Sequence, residues 1–322
     1  MKIREVVALR DAILEGGPLD EVAPTAMHYA QGLDPQGLAE MQAELGLILR
    51  AFPPERTHVV ALIAGAIVEF GGAPEDLPGV IYDRLAEMRE ARDPAEDEAL
   101  PECFYPFEQA AMAALSRSPG LRRTLPQRAR LLACEKCYED RYGFLGKMLA
   151  VLDDEPLYVV DVPTGRAWRL RIGGVADNFQ LHTLLRGALA GDGPDRIAGE
   201  APDPAALAES IDAPVTGAYA MRSRWQLSNG FALLADGKVD SEDYQRNWIW
   251  NEGVPEDIAV LDGARVVLIE PGLIERSWNA GRVFQGMPGR LDVEARLTDA
   301  EAKALLRSLI AAGAAMRAGE RT

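Results

Sequence analysis

Near Asp153-Asp154-Glu155-Pro156 the hydrophobic period of this chain changes from about 3.6 residues to about 2, and one kind of layer cannot bury both patterns. The reading is therefore two domains, 1–152 helical and 153–322 α+β. The fold class expected is α+β: an N-terminal helical bundle, then a mainly antiparallel β-sheet region closed by a C-terminal helix.

In the first part, Asp34-Pro35 supplies a cap and a proline at the first helical position. Leu38, Met41, Leu45, Ile48 and Leu49 follow at helical spacing. Pro54 opens a helix reaching Phe70 that is apolar on nearly every side, which places it centrally, and Gly71-Gly72 stops it. Its apolar run, Val59 to Val68, is about half the roughly 20 residues a membrane span needs. Further helices are expected at 77–92, 104–117 and 126–151, with an acidic loop, Asp93 to Glu98, between the first two.

In the second part, Leu157 to Val162 and Ala167 to Ile172 read as a hairpin turned by Pro163-Thr164-Gly165-Arg166. Asp177 caps a helix over 178–190, and a short helix is expected at 205–211. Strands are expected at 216–222, 231–235, 247–250, 258–261, 265–269 and 291–297, with Asp262-Gly263 as a tight turn. Thr298-x-x-Glu301 is a capping box for the last helix.

Lys and Arg total 34 against 50 Asp and Glu, a net charge of −16, which disfavours nucleic acid and anionic membrane as partners and favours a basic protein. The first residues turn acidic without an apolar signal region, and three cysteines are too few for a disulfide framework, so the expected location is the cytoplasm. The preference for arginine over lysine leans towards a bacterial source. Arg117, Arg122, Arg123, Arg128 and Arg130 are expected to pair with the acidic helices.

No Walker loop, GxGxxG, GxSxG or HExxH is present. Cys134 and Cys137 lie one helical turn apart. With Cys103 and one of His28, His58 or His182 they would complete a zinc set, but no second ligand pair supports it, and no cofactor is expected. The polar candidates for catalysis are Asp177, His182 and Glu252. With Arg282 they would have to meet in a pocket between the helical part and the sheet. The aromatic distribution says more. All five tryptophans follow residue 152, and Trp225, Trp248, Trp250 and Trp278 with Arg276 and Arg282 are the residue types of binding hot spots. Trp248 and Trp250, two apart on an expected strand, would share one sheet face.

The functional expectation is a non-enzymatic cytoplasmic binding or regulatory protein, such as an acidic inhibitor or immunity-type partner of a basic protein. An enzyme of unfamiliar type and a zinc-binding protein are the alternatives.

Overall fold

The computed structural model describes residues 3–91, 101–136, 143–216 and 219–319, without the side chains of 134–136. The acidic stretch 93–98 and Cys137 lie outside the described residues. The chain divides into two compact units, Met1–Leu149 and Ala150–Thr322.

The first unit holds the helices α1 (Arg4–Glu15), α2 (Leu19–Gln31), α3 (Pro35–Ala51), α4 (Pro54–Glu69), α5 (Val80–Glu90), α6 (Phe104–Arg117), α7 (Pro119–Thr124), α8 (Arg128–Lys136) and α9 (Phe144–Leu149). The Asp34 side chain accepts from the Gly37 N–H, so the expected cap is made. α4 is buried along most of its length and crosses α6 so closely that a Cβ on Gly65 would lie 2.6 Å from the Ala110 Cα. In the arginine cluster Arg130 pairs with Glu90 at 2.6 Å, Arg117 donates to the Ala113 carbonyl, buried Arg122 to the Leu115 and Ser116 carbonyls, and Arg128 to the Leu149 carbonyl. Carbonyls left open at helix ends are natural acceptors for such guanidinium groups.

The second unit is built on one sheet with β1 (Glu155–Asp161), β2 (Arg166–Gly173), β3 (Ala220–Asn229), β4 (Val260–Leu261), β5 (Ala264–Asn279) and β6 (Arg290–Arg296). The order is β3-β5-β1-β2-β6, with β4 on β5. The sheet is mixed: β1 and β5 run parallel, and the other pairings among the described residues are antiparallel. Helices α10 (Asn178–Leu189) and α13 (Asp299–Gly319) cover opposite faces, while α11 (Pro204–Ile211) lies against α10 and α12 (Tyr244–Asn247) is a single turn. Leu157, Val159, Val267 and Ile269 join Leu181, Leu184 and Leu185 of α10; Val160, Val266 and Leu268 join Ala302 and Leu309 of α13. Burial on both faces explains why β1 and β5 carry apolar runs rather than alternation. β6 is an edge strand protected by charge, with Glu294 bridging Arg169 and Arg171.

Two turn devices form as read. Asp262 and Gly263 both take positive φ, at 49° and 83°, as the tight β4–β5 hairpin requires. The Glu301 carboxylate accepts from the Thr298 N–H while the Glu301 N–H donates to the Thr298 hydroxyl. Three strand expectations are corrected. The strand expected at 216–222 is displaced into β3, and that at 231–235 is replaced by a 3₁₀ turn, Gly230–Ala232, after β3. The segment 247–250 is no strand: it follows α12 and makes only a single bridge, Ser228 to Trp248.

Candidate functional site

The tryptophans separate into two sets. Trp168 is sealed in the core against α10, and Trp225 and Trp278 are nearly sealed. The Trp225 indole donates to the Ala198 carbonyl at 2.8 Å and that of Trp278 to the Thr183 hydroxyl at 3.1 Å, so both polar handles are used internally. Trp248 and Trp250 instead gather with Tyr244, at ring separations of 5.5, 5.5 and 6.3 Å. Trp250 is 39% exposed and Tyr244 46%. The Arg276 guanidinium lies over both indoles, 5.4 Å from Trp248 and 5.6 Å from Trp250, and donates to the Gln226 side-chain oxygen at 3.1 Å. Burial lowers the Arg276 pKa, and Glu252 acts in the opposite sense. Exposed Glu242, Asp243 and Glu252 flank the cluster in sequence. The rings meet because a helical turn and an extended segment fold together, not because they alternate along a strand.

His182 is completely buried on α10 between Trp225 and Trp278, with ring centroids at 6.4 and 4.7 Å. Its Nδ1 faces the Asn251 oxygen at 3.4 Å and its Nε2 the Ser223 hydroxyl at 3.1 Å; that hydroxyl in turn accepts from the Trp225 N–H at 3.0 Å. The proton therefore sits on Nδ1, and Nε2 accepts from Ser223. Burial, with Arg186 and Arg276 nearby, pushes the His182 pKa down to about 3 despite the Asn251 bond. The order serine, imidazole, orienting amide is that of hydrolytic triads. The neutral Asn251 amide supplies no charge to stabilise an imidazolium in this buried setting, and the chain of bonds fits a positioning role.

Ser223 and Trp225 also line a cavity of about 560 Å³ in the second unit, beyond the end of the parallel β1–β5 pair. Ile197, Ile269 and Pro271 form apolar wall. Four arginines and four carboxylates line it, and most are engaged. Asp161 is bonded to Arg166 at 2.9 Å and to the Thr164 hydroxyl, while Arg186 donates to the Glu200 and Arg222 carbonyls. Arg222 and Arg224 share Glu275, each at 4.0 Å. The Glu270 side chain has no ion pair or hydrogen bond among the described residues, and burial alone raises its pKa. β5 bulges opposite Arg224, between the pairs Ser223–Arg276 and Trp225–Pro271.

The remaining candidates from the sequence do not converge with this cavity. Asp177 accepts from the Gln180 N–H as the cap of α10, and Glu252 is exposed. Arg282 is buried and donates to the Glu209, Ala213 and Gln285 carbonyls. Cys103 is buried in the first unit, its Sγ 3.8 Å from the Met88 sulfur, and burial pushes its thiol pKa up. The Cys134 side chain and Cys137 lie outside the described residues. Among the described residues no group of three or more His, Cys, Asp or Glu is placed to hold a metal. No described helix is long and apolar enough to cross a membrane. Comparison with protein-family models, with curated proteins and with solved structures gives no match. The geometry alone therefore carries the functional reading.

Proposed function

We propose that this chain is a non-enzymatic binding protein that engages a basic protein partner through Tyr244, Trp248, Trp250 and Arg276. The observation that carries the reading is the stacking of Arg276 over two indoles beside an exposed tyrosine and an exposed tryptophan. Tyr, Trp and Arg dominate the energetics of interfaces because they bury large areas at small entropic cost. Glu242, Asp243 and Glu252 would form the polar rim, and the net charge of −16 favours a cationic partner over nucleic acid. The location assigned with this reading is the bacterial cytoplasm, and the mode is that of a regulator or an acidic inhibitor. Trp225, Trp278 and Arg282 are buried with their polar groups bonded internally, and the proposed surface does not use them.

Parallel affinity capture on immobilised wild-type and Tyr244→Ala/Trp250→Ala chains, with quantitative mass spectrometry, tests this. The reading expects at least one basic protein enriched about tenfold on the wild type, a loss of about 1.4 kcal/mol in the variant. Identical capture profiles would refute it.

A further inference from the structure

The cavity beside Trp225 shares none of its lining with the exposed aromatic cluster, and its charges are unequally served by the protein. Arg166 is held by Asp161, the Thr164 hydroxyl and the Arg196 carbonyl, and Arg186 by two backbone carbonyls. Neither is available to a ligand without breaking those bonds. Two groups remain. The Glu270 side chain is half-buried with no partner among the described residues, and Arg222 with Arg224 offer two cations to the single carboxylate of Glu275 at the 4.0 Å limit of an ion pair. The volume lies within the roughly 300–1,000 Å³ typical of small-molecule sites, and apolar walls with a few unengaged polar groups are their usual lining. Trp225, Pro163 and Pro271 provide flat apolar surfaces suited to a ring.

We propose that this cavity binds an amphoteric aromatic small molecule of the amino-acid type, its basic nitrogen on Glu270, its carboxylate at Arg222 and Arg224, and its ring beside Trp225. A ligand with only an anionic group leaves Glu270 unpaired in a half-buried setting; one with only a basic group leaves the excess arginine charge unmatched. The zwitterion satisfies both and adds no net charge to a lining that is already balanced. Burial alone raises the Glu270 pKa, and a bound ammonium group would offset that penalty by stabilising the ionised carboxylate. Ser223, fixed by His182 and the Trp225 N–H, holds the wall on which the ring rests.

Calorimetric titration of the full chain with L-phenylalanine, phenethylamine and 3-phenylpropionate separates the contributions, since the three share a ring and differ in charge. L-Phenylalanine is expected to bind about tenfold more tightly than either singly charged probe. Glu270→Gln, which is nearly isosteric, should abolish the preference for L-phenylalanine over 3-phenylpropionate. Arg224→Gln, at a side chain 79% exposed and thus tolerant of change, should reduce the preference over phenethylamine. Tyr244→Ala/Trp250→Ala should leave L-phenylalanine binding intact, which keeps this outcome separate from that of the partner surface. Absence of binding by L-phenylalanine, equal binding of 3-phenylpropionate, or an affinity unchanged in both cavity variants would overturn the proposal.

Discussion

His182 is a titratable group completely removed from water. Its folded pKa, about 3, lies below the ordinary value of 6.5, so the unfolded chain binds the extra proton between those pH values. The stability this histidine contributes is complete above about pH 6.5 and declines as the pH falls towards 3, with a slope approaching 1.4 kcal/mol per pH unit. Carboxylates as a class titrate in the same window, so the informative quantity is a difference. The stability gap between wild type and His182→Gln, from urea unfolding, should narrow steadily between pH 6 and pH 4; a constant gap would contradict the buried neutral imidazole. Arg282→Ala should cost about 2–4 kcal/mol, because three carbonyls lose their charged donor in a buried setting. A urea midpoint unchanged from wild type would contradict that role. None of this is legible at single positions. His182 reads as an isolated histidine because Ser223 and Asn251 come from distant stretches, and Arg282 looks like a surface group because the carbonyls it serves have no side-chain signature.

At the scale of elements, what could be read was what local physics decides. Asp34, Asp177 and Thr298 with Glu301 mark helix starts because caps act within three residues, and Asp262-Gly263 marks its hairpin because both positions need positive φ. β3 lies further along the chain than the apolar pattern indicates because Ser223, Gln226, Ser228 and Asn229 are buried polar residues that break that pattern. Trp248-Ile249-Trp250 imitates strand alternation, yet only Ile249 reaches the core. The parallel pairing of β1 with β5 spans more than a hundred residues of sequence, and no local pattern encodes it. α13 shows how packing can overrule propensity. Gly313 abuts the 3₁₀ turn, and a Cβ there would lie 2.2 Å from the Phe231 carbonyl oxygen. Helix propensity favours Gly313→Ala by about 1 kcal/mol, whereas the overlap costs about 1–3 kcal/mol. The variant should therefore be destabilised in urea unfolding. A gain of stability would mean that α13 does not dock at this point.

For the whole molecule, the excess of carboxylates and the separation of sealed from exposed indoles are the two facts that shape its encounters. The long-range field of a chain with net charge −16 attracts cations and is screened by salt within about 10 Å at 0.1 M, so association with a basic partner should slow as salt rises. The aromatic and arginine content of the second part was visible in composition; which rings reach solvent depends on the fold. The bulge of β5 opposite Arg224 likewise places Glu270 and Arg224 on one cavity by tertiary pairing alone. The decisive measurement is a titration of the captured basic partner against wild type and Trp250→Ala, with both chains shown to share the same unfolding midpoint. A dissociation constant weakened about tenfold or more by the substitution is expected. An equal constant for the two chains would contradict the exposed aromatic surface as the place where this protein meets its partner.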